Sequence, residues 1–183
     1  MSRRPGESYI LAPWLRALPV GNPDLLSLLP VIDLNAAAMR SLDPPARGID
    51  RGGVFAALSL VDPFLRPRDA VSRLRRAGIS GVANFPTMQI VDGETARAFE
   101  GADARTTREA QMLEAFLAEG FRAIAFACGA DAARLIAQTR PTMMVLHPGV
   151  ALSDWRQRAA SALAVQRMIE HCRLEAGCPV LVY

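Results

Sequence analysis

The stretch Gly81-Val82-Ala83-Asn84-Phe85-Pro86-Thr87 decides how this chain is read. Three small or apolar residues run directly into Asn-Phe-Pro-Thr, with no turn residue ahead of the asparagine. The pattern predicts a short buried strand, Gly81 to Phe85, with a polar side chain at its C-terminal tip. In α/β proteins the C-terminal ends of parallel strands are where sites are built.

Working outward, strand-like and helix-like segments alternate. Upstream, Arg68 to Ala77 places Ala70, Val71, Leu74 and Ala77 on one helical face, with Gly78 as the stop. Before it, Val54 to Val61 reads as a strand that ends at Asp62-Pro63-Phe64. Leu25 to Leu42 reads as a helical region broken at Pro30, and Ser8 to Ala12 as a short strand. Downstream, Gln89 to Thr106 reads as a long loop, of the kind that serves as a lid or binding loop. Thr107 to Glu119 is helical and Phe121 to Ala127 a strand. Ala130 to Gln138 is helical, Thr142 to Leu146 a strand, Ser161 to Ala176 a long helix, and Pro179 to Tyr183 a final strand. This is a βα unit repeated about six times.

Near-continuous apolar strands are buried on both faces, as in a parallel sheet covered by helices. Two architectures fit: a doubly wound sheet, and a parallel (β/α) barrel of TIM type. No Gly-rich dinucleotide fingerprint follows the first strand, which weakens the doubly wound reading. A complete barrel takes about 250 residues. With 183 residues, a barrel here is incomplete, and the chain is one domain.

Composition excludes several classes. All 21 basic residues are arginine, which removes a Schiff-base lysine and a P-loop lysine together. The net charge is only +3. The tight basic cluster Arg73, Arg75 and Arg76 lies on an amphipathic helix without interleaved aromatics, so it reads as a solvated face and not a nucleic-acid footprint. No apolar run approaches the roughly 18 residues that span a bilayer. The apolar segment after the Arg3-Arg4 pair is broken by Pro13, Arg16 and Pro19, which argues against a signal peptide. Three cysteines, Cys128, Cys172 and Cys178, without a CxxC, argue against a disulfide framework or structural zinc and fit a cytoplasmic protein.

Parallel strands bring their tips to one face, which gathers Asp62, Asn84, Thr87, Cys128 and His147. Asp62 could hold a divalent metal such as Mg2+ or orient a substrate; before Pro63 it also reads as a helix cap. Asn84 could donate to an oxyanion or satisfy loop backbone. Thr87 could bind phosphate or carboxylate, or serve a turn. His147 closes an inner strand ahead of Pro148-Gly149, a place suited to a general acid/base or an anion ligand. Gly149 permits close backbone approach there. Cys128 reads as an inert buried thiol. His171 reads as a surface residue. Glu109 is a favourable first-turn charge or a second carboxylate of the site.

With these residues placed, the chain resembles the phosphoenolpyruvate hydrolase-like TIM-barrel family, also called TIM-barrel signal-transduction proteins, whose members include the C-terminal domain of the tomato mosaic virus resistance protein. The resemblance rests on Gly53 to Phe64 with its Asp62-Pro63-Phe64, on Gly78 to Thr87, on Asp92-Gly93 and on His147-Pro148-Gly149. Glu109 falls where the family has a glutamate, and Asn35 where it has an asparagine in the helix after the second strand. The resemblance implies a (β/α)8 barrel and chemistry on a small phosphorylated or 2-oxo acid. The chain departs from the family in lacking its first strand and in replacing Gly-rich loops. After His147 it reads Val150-Ala-Leu-Ser-Asp-Trp155, with no glycine. Backbone amides of such loops cradle phosphate.

Two expectations follow. The first is an enzyme, a hydrolase or lyase of small 2-oxo or phospho acids. In it Asp62, Asn84, Glu109 and His147 are catalytic, and Thr87, Arg16, Arg97 and Gly149 hold the anionic substrate. The second is a catalytically degenerate member that binds a ligand or a protein partner. An open barrel exposes strand edges that need cover, for which a homo-oligomer is the simplest solution. Neither expectation involves nucleic acid or a membrane.

Overall fold

The computed structural model describes residues 7–19, 23–29, 31–42, 53–91, 93–101, 105–149 and 155–183. Among these residues six strands form one sheet: β1 (Tyr9–Leu11), β2 (Val54–Leu58), β3 (Gly81–Asn84), β4 (Arg122–Ala127), β5 (Met143–Leu146) and β6 (Val180–Val182). All neighbours are parallel, and their spatial order is their chain order. A doubly wound sheet reverses strand order at a switch point. The uninterrupted order instead makes a curled half-barrel, an incomplete α/β barrel of TIM type. The composition of the strands explains their place. Every residue of β3 is buried, and β2 and β4 are buried except at their first residues, which are half-buried.

Among the described residues, seven α-helices run between or beside the strands: α1 (Pro23–Ser27), α2 (Leu34–Arg40), α3 (Pro67–Arg76), α4 (Gly93–Gly101), α5 (Thr106–Ala118), α6 (Ala130–Gln138) and α7 (Trp155–Ala176). Asp33 caps α2 by accepting from the Ala36 amide at 2.8 Å, which satisfies one orphan donor of the first turn. Pro67 opens α3, where its missing N–H costs nothing. On that helix Ala70, Val71 and Leu74 are buried while Arg73, Arg75 and Arg76 are exposed. Arg75 pairs with Glu119 at 3.2 Å. His171 is exposed and lies 3.2 Å from Glu175. Among the described residues, no helix is long and apolar enough to cross a membrane.

Several boundaries differ from the sequence reading. The long loop after β3 contains a 3-10 turn, Met88–Ile90, and α4. Its polar surface hid a weak helical pattern: Ala96 and Phe99 lie three apart on the less exposed side, and Glu94 pairs with Arg97 at 3.7 Å. The region from Leu25 to Leu42 forms two short helices. Strand β2 ends at Leu58, three residues early, because the Ser59 backbone turns to a side chain. Helix α7 begins at Trp155, since nothing between Trp155 and Ser161 breaks it. Pro30, Asp92, the Arg3-Arg4 pair and the Val150–Asp154 segment lie outside the described residues.

Gly81 is fixed by packing. A Cβ there would meet the Phe55 ring at 2.5–2.9 Å, so β2 and β3 pair at this register only with a bare backbone at this position. Inside the curl, Phe85 and Phe126 have ring centroids 5.2 Å apart, and Tyr183 lies 6.1 and 5.8 Å from them.

Candidate active site at the strand tips

Two asparagines at the tips act alike. Asn84 accepts from the Phe126 amide through Oδ1 at 2.7 Å and donates from Nδ2 to the Phe126 carbonyl at 3.0 Å. Its amide thus makes the two bonds that a backbone residue would make, extending the β3–β4 pairing. Asn35 treats Ser59 the same way, with both bonds at 2.9 Å. Each asparagine also donates from Nδ2 to a carboxylate: Asn84 to Glu109 at 3.0 Å and Asn35 to Asp62 at 2.7 Å. Buried backbone groups need partners, and here two side chains supply them where the strands end.

Glu109 is fully buried. Its carboxylate accepts from Asn84, from the Thr87 hydroxyl at 2.8 Å, from the Met88 amide at 2.9 Å and from Gln89 Nε2 at 2.6 Å. Burial raises its pKa above the ordinary 4.5, while the Met88 amide and the side chains of Gln89, Thr87 and Asn84 pull it down; burial prevails. Gln89 also accepts from the Cys128 amide at 2.8 Å. This network locks the loop after β3 to the end of β4. Asn84, Thr87 and Glu109 are therefore brought together and spend their hydrogen bonds on one another and on the backbone.

Asp62 accepts from Asn35 and, through Oδ1, from the Phe64 amide at 2.8 Å. The second bond makes a local turn. Helix α3 itself starts after Arg66, without a side-chain cap. Both oxygens of Asp62 accept a hydrogen bond, and among the described residues no three His, Cys, Asp or Glu side chains converge.

His147 is buried, at 4 % exposure, and holds a second cluster. Its Nδ1 accepts from the Gly149 amide at 3.0 Å. That bond leaves the ring proton on Nε2, which lies 3.0 Å from Asp24 Oδ2. Tyr183 donates to the other oxygen of Asp24 at 3.1 Å, and its ring stacks on the imidazole at 4.7 Å between centroids. Burial, then the charge and hydrogen bond of Asp24, push the Tyr183 phenol up to about 12. The phenol keeps its proton near neutral pH.

Asp24 and Tyr183 escaped the sequence reading. Asp24 opens a five-residue helix and gives no pattern. Tyr183 follows β6 just as His147 follows β5, so the strand-tip rule that selected His147 selects it too. Arg16, in the 3-10 turn Pro13–Ala17, is exposed. Arg97, on α4, is exposed and pairs with Glu94. Gly149 contacts His147 directly, at a positive φ of 91°.

A parallel α/β half-barrel whose polar residues gather at the strand tips is an incomplete TIM-type scaffold. By its sequence the chain belongs to the phosphoenolpyruvate hydrolase-like family, whose model matches residues 16–175. It is similar to the uncharacterised protein y4oT of Sinorhizobium fredii, 34% identical over 103 residues that cover 56% of this chain and 51% of that protein. It is also similar to the tomato (Solanum lycopersicum) ToMV resistance protein Tm-1(GCR237), 28% identical over 133 residues, or 73% of this chain and 18% of that one. The tomato ToMV susceptible protein tm-1(GCR26) is 27% identical over the same share of each. The chain thus spans about half the length of the bacterial relative and under a fifth of the tomato ones.

Proposed function

We propose that this protein is an enzyme acting on a small phosphorylated or 2-oxo acid, a hydrolase or lyase, with His147 and Asp24 as its proton-handling pair. The observation that carries this reading is the hydrogen bond between His147 Nε2 and Asp24 Oδ2 at 3.0 Å. A carboxylate beside an imidazole holds the ring in one orientation and one tautomer, an arrangement shared by histidines that do acid/base work. Tyr183 donates to the other oxygen of the same carboxylate and so helps to hold Asp24 in place. Asn84, Thr87, Glu109 and Asp62 act in this reading as positioning residues, since they hold the strand tips in place.

The test is turnover of a panel of 2-oxo and phospho acids, followed by phosphate and pyruvate release. His147→Ala and Asp24→Asn should each lower any activity about 100-fold or more, the usual contribution of general acid/base catalysis. Unchanged rates in both variants would refute the assignment. A second reading, a ligand- or partner-binding member without catalysis, is favoured by the internal saturation of the Asn84–Glu109 and Asn35–Asp62 groups. It predicts ligand-induced stabilisation without turnover. In either reading a second copy covers the β6 edge, where Leu181 and Val182 are half exposed; light scattering should report a dimer.

A further inference from the structure

Beside the network of Glu109 lies a cavity of about 320 Å³. Its polar wall comprises Gln89, Cys128, and Arg105, Thr106 and Thr107 at the start of α5; its apolar wall includes Ala96 and Phe99 of α4. Cys128 follows Ala127, which pairs with Leu146, and the His147 amide donates to the Ala127 carbonyl at 2.8 Å. Cys128, which lines the cavity, and His147 therefore leave the sheet side by side. Among the residues lining it, the charged one is Arg105. The first turn of α5 has no side-chain cap, and α6, which contributes Ala132 to the lining, also begins without one.

We infer that this cavity binds the oxyanion of a small acid, through the Arg105 guanidinium and the hydroxyls of Thr106 and Thr107. The inference deepens the proposed function and rests on it for the acid's turnover, but not for its binding. A guanidinium offers paired donors matched to phosphate or carboxylate. Hydroxyls complete the coordination; the helix starts add little, since Glu109 and Asp131 already stand in the first turns of α5 and α6. The apolar wall of Ala96 and Phe99 leaves room for a short carbon portion. Arg16 and Arg97 then have no part in anchoring the acid.

The experiment is calorimetric titration of the full chain with inorganic phosphate and, separately, with pyruvate. Either anion should bind, and the tighter of the two identifies the source of the oxyanion. Arg105→Ala should weaken binding tenfold or more. Ala96→Trp, which fills the cavity and leaves all charge in place, should abolish it. Asp24→Asn should keep anion binding while losing turnover. Absence of binding by both anions, or parental binding in both Arg105→Ala and Ala96→Trp, would overturn the inference. If Arg105→Ala binds normally while turnover still depends on His147, the subsite fails alone. If Arg105 governs binding and nothing is turned over, the proposed catalysis fails and the subsite stands.

Discussion

Glu109→Gln is a sharp test of the buried network, because every partner of the carboxylate is a donor. A glutamine can leave its oxygen at the Oε2 position, where it still accepts from Asn84 and Gln89. Its amide then faces the Met88 N–H, which sits 2.9 Å from the other oxygen in the parent. One buried donor loses its acceptor, at a cost of about 1–3 kcal/mol. Glu109→Leu removes the acceptor for all four donors; Asn84 and Gln89 retain the Phe126 carbonyl, and the loss should be about 3–5 kcal/mol. The pH dependence separates charge from shape. With its folded pKa raised above 4.5 by burial, native Glu109 binds a proton that the unfolded chain has already released. Stability from this group is therefore fully present below 4.5 and falls as pH rises to the folded pKa. Glu109→Gln lacks that limb, so its disadvantage is greatest near pH 4.5 and shrinks toward neutrality. Urea unfolding followed by circular dichroism across this range measures it. Parallel pH profiles for parent and Glu109→Gln, or a Glu109→Leu variant within 0.5 kcal/mol of the parent (a margin of about the size expected for a neutral surface change), would refute the reasoning.

Three further outcomes are expected. Gly81→Ala drives a methyl into the Phe55 ring and should lower stability by about 1–3 kcal/mol, read as a drop in urea midpoint; no drop would mean that the β2–β3 contact is looser than the 2.5 Å approach implies. Asn35→Ala leaves the Ser59 amide and carbonyl without their side-chain partners and should cost about 2 kcal/mol, with β2 protection from hydrogen exchange reduced. In a Tyr9→Phe background, ultraviolet titration should find Tyr183 ionising at about 12, and Asp24→Asn should bring it back toward 10, since two of the three causes of the shift are removed.

Much of the fold was legible because buried parallel strands announce themselves. Val82-Ala83 and Ala123 to Ala127 can be satisfied only where both faces of the sheet are covered. Asn84, Thr87 and His147 were legible as positions, since the end of an apolar run marks a strand tip, and Glu109 as a charge in the first turn of a helix. Their partnerships were not. Whether Glu109 faces a ligand or Thr87 depends on how α5 docks, which no local pattern encodes. Helix α4 was hidden by its exposed, charged surface, and Asp24 by a helix too short to show a period. Arg105 lies at a boundary, where the same residue reads equally as loop or helix start.

Asp24 follows β1, the first strand of the sheet, and its partners follow β5 and β6 at the opposite side. Geometrically its two hydrogen bonds are a chord drawn across an arc of six strands. That chord ties the first side of the arc to the last through one carboxylate held by an imidazole and a phenol. A molecule that competes for that carboxylate at the mouth would slacken the arc, coupling occupancy of the mouth to the shape of the sheet.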